Sequence, residues 1–235
     1  MAVMQMQSVS PMLRRGRLGL LSMMLLAVVF TAGCEGVAFL AGMGGERVPA
    51  QYKIPDRPTL VMVEDPDNAL GDPRLSRLIA SHVGFHLEEN RAVRRGVVSQ
   101  SDLAELAERL DEDYRRMPID RIGQQLGADQ VIHVLIDEVD LVFEPGVYRP
   151  TAYAEVKVID AAESRRLFPL ARRMDADGGP APGLRIQSQL SHRVSGEADT
   201  SLEAMLLQAL AEQMGREIAQ VFYDHQRLEG GSQLP

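Results

Sequence analysis

The side chains in this 235-residue chain that could do chemistry are few and scattered. Cys34 is the only cysteine; with no partner for an internal disulfide it reads as a point of attachment, in preference to an incidental cysteine beside an uncleaved anchor helix or the free thiol of a secreted protein. It closes the sequence Phe30-Thr31-Ala32-Gly33, which follows an apolar run from Leu18 to Ala32 and a basic stretch containing Arg14, Arg15 and Arg17. His82 and His86 stand four residues apart, the spacing that puts two imidazoles on one helix face, where they could share a zinc ion. Val83 occupies the place where the His-Glu-x-x-His pattern carries its general base, and no third ligand is indicated, so two ordinary surface histidines is the favoured reading. His133 falls in the strongest strand signal of the chain and reads as a satisfied, partly buried side chain. Glu64, Asp65 and Asp67, with Asp137, Glu138 and Asp140, could meet at strand ends around a hard cation. Their spacing fits no EF-hand loop, so they read as solvated, turn-forming acids.

The segment before Cys34 has the parts of an export signal: basic residues, an apolar core too short for a comfortable membrane span, and small residues before the cysteine. Residues 30–34 resemble the bacterial lipobox, with Thr31 where that motif prefers Leu. The resemblance implies that residues 1–33 are a signal peptide and that Cys34 becomes the amino terminus, thioether-linked to diacylglycerol. Glu35 rather than Asp follows the cysteine, which by resemblance to enterobacterial sorting rules favours the outer membrane.

Composition narrows the function classes. Removing residues 1–33, which hold three arginines and no acid, leaves 202 residues and moves the net charge from −8 to −11. So acidic a domain, with no dense basic stripe, is a poor partner for nucleic acid. There is no tryptophan, which argues against an aromatic-lined, sugar-stacking pocket. No Gly-x-Ser-x-Gly elbow, P-loop or dinucleotide fingerprint is present, so neither a cofactor nor a small-molecule ligand is indicated. Arg91, Arg94 and Arg95 form a small basic cluster, read first as a solvated helix end and second as a contact for anionic headgroups or cell wall.

The elements that must position these residues follow from periodicity. Residues 34–58 read as a lipidated tether, with Gly36, Gly42, Gly44 and Gly45 followed by Pro49, Pro55 and Pro58; the apolar patch 37–41 is unusual for a linker. Thr59 to Val63 predicts a buried strand. Asp72 and Pro73 supply an N-cap and first-turn proline for an amphipathic helix over 73–89. Val97 and Val98 predict a second strand, Ser101 caps a helix with Leu103, Leu106 and Leu110, and Pro118 opens a shorter helix that Gly127 stops. Gln130 to Phe143 is apolar on both faces at first and then alternates, as for a strand that enters at the centre of a sheet and leaves it half exposed. Glu144-Pro145-Gly146 turns it into a partner at Ala152 to Ile159, and Leu184 to Val194 alternates again after a long loop. Ser201 to His225 predicts a long closing helix with an apolar stripe from Leu202 to Phe222. The fold class expected is α/β (α+β): a small mixed sheet of about five strands with covering helices, a single domain over 59–228 and a flexible tail over 229–235.

The passage Ile122-Gly123-Gln124-Gln125-Leu126-Gly127-Ala128-Asp129-Gln130-Val131-Ile132 resembles a helix, Leu-Gly-Ala-Asp, strand junction of bacterial envelope domains. These are the amino-terminal domain of the Tol-system translocation protein, the curli secretion lipoprotein and lipoprotein activators of penicillin-binding proteins. The resemblance implies a domain that binds partners without catalysis, and it carries over no functional residue because the matching positions are structural. The expectation is a membrane-anchored, non-enzymatic accessory or assembly lipoprotein of the cell envelope, facing the periplasm and binding another envelope protein. The alternative is an envelope enzyme or solute-binding protein whose site is assembled from residues distant in sequence.

Overall fold

The computed structural model describes residues 46–144, 147–170, 182–190, 192–193 and 200–227. Cys34, the apolar patch 37–41, the loop 171–181 and the tail 229–235 lie outside the described residues. From Arg47 onward the chain forms one compact unit.

Its frame is a mixed sheet. Strand β2 (Thr59–Glu64) runs parallel to β3 (Gln130–Glu144), with Thr59 opposite Gln130 and Glu64 opposite Leu135. β3 pairs antiparallel with β4 (Val147–Asp160). The far side of β4 is covered in turn by β7 (His192–Arg193), β6 (Leu184–Gln189) and β5 (Arg165–Phe168). β3 is therefore central. Its first half, Gln130 to Val134, is buried throughout, while Asp137, Glu138 and Asp140 are exposed, as the change of pattern predicted.

Four helices make up the parallel crossover from β2 to β3. They are α1 (Pro73–Glu89), α2 (Gln100–Leu110), α3 (Glu112–Arg116) and α4 (Ile119–Gln125). Helix α5 (Thr200–Gln220) closes the fold. Alternation along the strands splits the core in two. Val61, Ile132, Val134, Ala154 and Val156 pack with Ile79, Val83 and Leu87 of α1 and Leu210, Met214 and Ile218 of α5. Leu60, Met62 and Val131 face the other way, onto Leu106 and Ile122.

Local chemistry explains where the helices begin and end. Asp72 accepts a hydrogen bond from the Arg74 N–H at 2.9 Å, and Pro73 follows it inside the helix, as its sequence position predicted. Gly127, at φ 70°, ends α4: its N–H reaches Gln124 O at 3.1 Å and the Ala128 N–H reaches Gly123 O at 2.9 Å, the paired bonds of a Schellman cap.

Several expectations are corrected. The N-cap of α2 is Ser99, not Ser101: the Ser99 hydroxyl accepts from the Ser101 N–H at 3.1 Å. Val97 and Val98 are no strand but a single bridge to Thr59. That bridge, with the Gln100 side chain donating to Val61 O at 2.9 Å, shields the outer edge of β2. The strand expected over Leu184 to Val194 is interrupted after Gln189, and α5 stops at Gln220 rather than His225. Met205, within the apolar stripe expected from Leu202 to Phe222, is 49% exposed.

The largest difference concerns residues 46–58, expected to belong to a tether. β1 (Glu46–Val48) pairs with β8 (His225–Arg227) in a separate two-stranded sheet. The N–H groups of Gln51 and Tyr52 both donate to Val221 O at the end of α5. Tyr52 stacks on Phe168, with ring centroids 5.0 Å apart, and meets Phe222 edge-on. Ile54 is buried in the main core. The packed part of the chain thus begins about a dozen residues before Thr59.

Candidate partner-binding groove

Two carboxylates shape the entry into α1. Asp65 accepts from the N–H groups of Ala69 and Leu70 at 2.7 and 3.0 Å, fixing the turn that delivers Asp72 to its capping position. The turn-forming role read for Asp65 is the one it plays. Arg74 grips both oxygens of Asp72, and that hydrogen bond is the chief reason the Asp72 carboxyl lies below the usual carboxylate range. α1 then presents Leu75 and Leu78 toward the first turns of α5, where they meet Ala204 and Leu207 over a floor that includes Leu70. The result is a groove of about 520 Å³, mostly apolar, with Asp72, Arg74 and Gln208 among its polar residues. Met205, beside it in sequence on α5, is one of three large apolar side chains that the described surface leaves exposed. A groove of this kind suits an apolar protein segment better than a polar solute, whose recognition needs converging hydrogen-bonding groups.

The sequence-derived candidates fall elsewhere. His82 and His86 do share a face of α1, with ring centroids 6.2 Å apart, but His86 Nδ1 pairs with Glu89 at 3.3 Å. Among the described residues no three His, Cys, Asp or Glu side chains converge into a possible metal site. The two acidic groups do not come together around one point; Asp137 instead lies 3.5 Å from Arg185.

His133 has a hydrogen-bond partner, as read, and is buried rather than partly buried. Its Nε2 lies 2.7 Å from Glu64 Oε2, across the β2–β3 pair. This hydrogen bond, more than the charge of the ring, holds the Glu64 carboxyl below the ordinary glutamate range. Tyr114 of α3 lies near enough that burial, then the Glu64 charge, push its phenol up. A carboxylate with a lowered folded pKa stabilises the fold above its unfolded value, and that contribution is lost as the pH falls through the folded value. Between about pH 5 and pH 3 the wild type should therefore lose more stability than Glu64→Gln, as read by denaturant unfolding at each pH. Parallel curves for the two proteins would show that the pair contributes nothing.

Sequence reasoning predicted an amphipathic helix over 73–89 but did not find the groove, which exists only where the first turns of α5 meet α1. Among the described residues no helix is long and apolar enough to cross a membrane.

No family model matches the chain, and no curated protein matches it in sequence. Among solved structures it is similar to the lipoprotein GNA1162 of Neisseria meningitidis, with 14% identity over 68% of this chain and 99% of that one and a TM-score of 0.40. It is also similar to the PelC dodecamer from Paraburkholderia phytofirmans, with 8% identity over 75% and 96% of the two chains and a TM-score of 0.40. A third is protein XCC0632 from Xanthomonas campestris, with 11% identity over 74% and 84% and a TM-score of 0.36. At identities and scores of this size the likeness carries no weight for function.

Proposed function

We propose that the protein is a lipid-anchored accessory or assembly factor of the bacterial envelope that acts by binding another protein and catalyses nothing. The anchor reading rests on Cys34 and the segment before it. It implies a domain facing the periplasm, with Glu35 favouring the outer membrane. The resemblance of residues 122–132 to envelope accessory domains points the same way.

The observation that carries the binding reading is the α1–α5 groove: leucines on both walls, an exposed Met205 nearby, and few polar groups to orient a small solute. The fitting occupant is a protein segment that offers apolar side chains at helical or extended spacing. The enzyme alternative has its best support in the Glu64–His133 pair, which lies outside the α1–α5 groove.

The test is a photoreactive side chain at Ala204, illuminated in intact envelopes. The expected result is one discrete protein adduct, reduced about tenfold by Leu207→Glu, since a central apolar contact carries upward of roughly 1 kcal/mol. The same probe at Arg115, on the exposed surface of α3, serves as the control. Absence of a protein adduct at Ala204, or an equal one at Arg115, would overturn the reading.

A further inference from the structure

The point where the chain enters the folded unit carries a basic face. Arg47 lies in β1, and Lys53 and Arg91 line one shallow cleft with Asp224 and Tyr223. Arg94 and Arg95 adjoin it through Asp56, which accepts both their backbone N–H groups at 2.8 and 3.2 Å. All five cations are exposed.

Acidic side chains share this region and keep their charge, each holding a neighbouring group in place. Asp56 holds the two backbone N–H groups, and Asp224 accepts from the Ala50 N–H at 3.0 Å and from Arg47 at 3.1 Å. Glu88 accepts from the Val97 N–H at 3.1 Å, and Glu89 pairs with His86. The side chains of Lys53, Arg91, Arg94 and Arg95 have no hydrogen bond or ion pair among the described residues. In a mature chain of net charge −11, four exposed cations without a salt bridge among the described residues stand at the root of the leading segment, where Arg94 and Arg95 lie near Asp56 and Lys53 near Asp224.

Distance decides what they can meet. Cys34 precedes Arg47 by 13 residues. A chain of that length spans at most about 45 Å even when fully extended. A lipid on Cys34 would therefore keep the chain's entry into the folded unit, and the basic face beside it, within that distance of the bilayer.

We propose that Lys53, Arg91, Arg94 and Arg95 form a docking surface for the anionic phospholipid headgroups of the membrane that holds the anchor. The proposal rests on the anchor reading and deepens it: the lipid retains the protein, and the basic face orients it, leaving the groove free for its partner. Each cation near an anionic surface strengthens attachment by about fivefold, and salt removes the effect.

The chain supplies its own probe, because Lys53 and Lys157 are its only lysines. Lys157 sits on β4, 3.4 Å from Glu155, and serves as the internal reference. The mature lipidated protein is placed in vesicles of phosphatidylcholine, with or without phosphatidylglycerol, and the acylation rate of each lysine is measured at low salt. Phosphatidylglycerol should slow Lys53 by about fivefold or more and leave Lys157 unchanged. Adding salt, or Arg91→Gln with Arg94→Gln and Arg95→Gln, should abolish most of the difference. Equal Lys53 rates in both vesicles, or equal slowing of both lysines, would overturn the headgroup surface while leaving the anchor intact. Failure of the protein to float with phosphatidylcholine vesicles would overturn the anchor reading and this proposal with it.

Discussion

Ile218→Asp should prevent the domain from accumulating in folded form. Ile218 is fully buried in the larger core, where α5 lies against α1 and the sheet. The substitution removes an apolar side chain, which alone costs about 2–5 kcal/mol when it leaves a cavity. It also places a carboxylate where no cation is described to meet it, at a further several kcal/mol. A domain of this size is stable by about 5–15 kcal/mol, so the two costs together consume most or all of the margin. Arg216→Asp, two positions earlier on the same helix and exposed, introduces the same carboxylate and should change stability by no more than about 0.5 kcal/mol. Soluble yield and denaturant midpoint separate the two. If Ile218→Asp folded normally but lost a partner, this face of α5 would be an interface rather than core.

Those elements were legible that announce themselves locally. Asp72 and Pro73 start a helix by their own side-chain chemistry, Gly127 stops one because glycine accepts a positive φ without strain, and the two-sided apolar run of β3 marks a strand buried on both faces. β1, β5 and β8 were not legible, because strands of three or four residues carry no periodicity and exist only through their partners. Residues 46–58 misled for a related reason. Their prolines suit a linker equally well whether the chain hangs free or, as here, wraps the end of α5 with Tyr52 and Ile54 as its packing residues.

The candidate surfaces divide along the same line. Arg91, Arg94 and Arg95 are neighbours in sequence and visible there; Arg47 and Lys53 join them only because the leading segment folds back beside Asp224. His82 and His86 have the right spacing for a metal, yet spacing supplies two ligands at most, and the third must come from another element. At this position α5 offers a glycine instead: Gly215 packs against His82.

That contact yields the second large effect. A Cβ added to Gly215 would lie 2.6 Å from His82 Cβ and 2.9 Å from Ile79 O, closer than nonbonded atoms of these kinds approach. Neither neighbour can rotate away, since one is a backbone atom and the other is fixed directly to the backbone of α1. The helices would have to separate, loosening Ile79, Val83, Met214 and Ile218 together. Alanine in mid-helix gains roughly 1 kcal/mol over glycine, whereas forced overpacking costs about 1–3 kcal/mol. Gly215→Ala should thus be destabilising by up to about 2 kcal/mol despite its better helix propensity, and Gly215→Leu by more than the alanine variant, in denaturant midpoints at constant slope. A stabilised Gly215→Ala would mean that α1 and α5 do not cross as closely as described. The arms of the groove that Leu75, Leu78 and Leu207 line are set by this crossing, so Gly215→Ala should also weaken the Ala204 crosslink while the protein remains folded, tying the partner surface to a glycine that touches no partner.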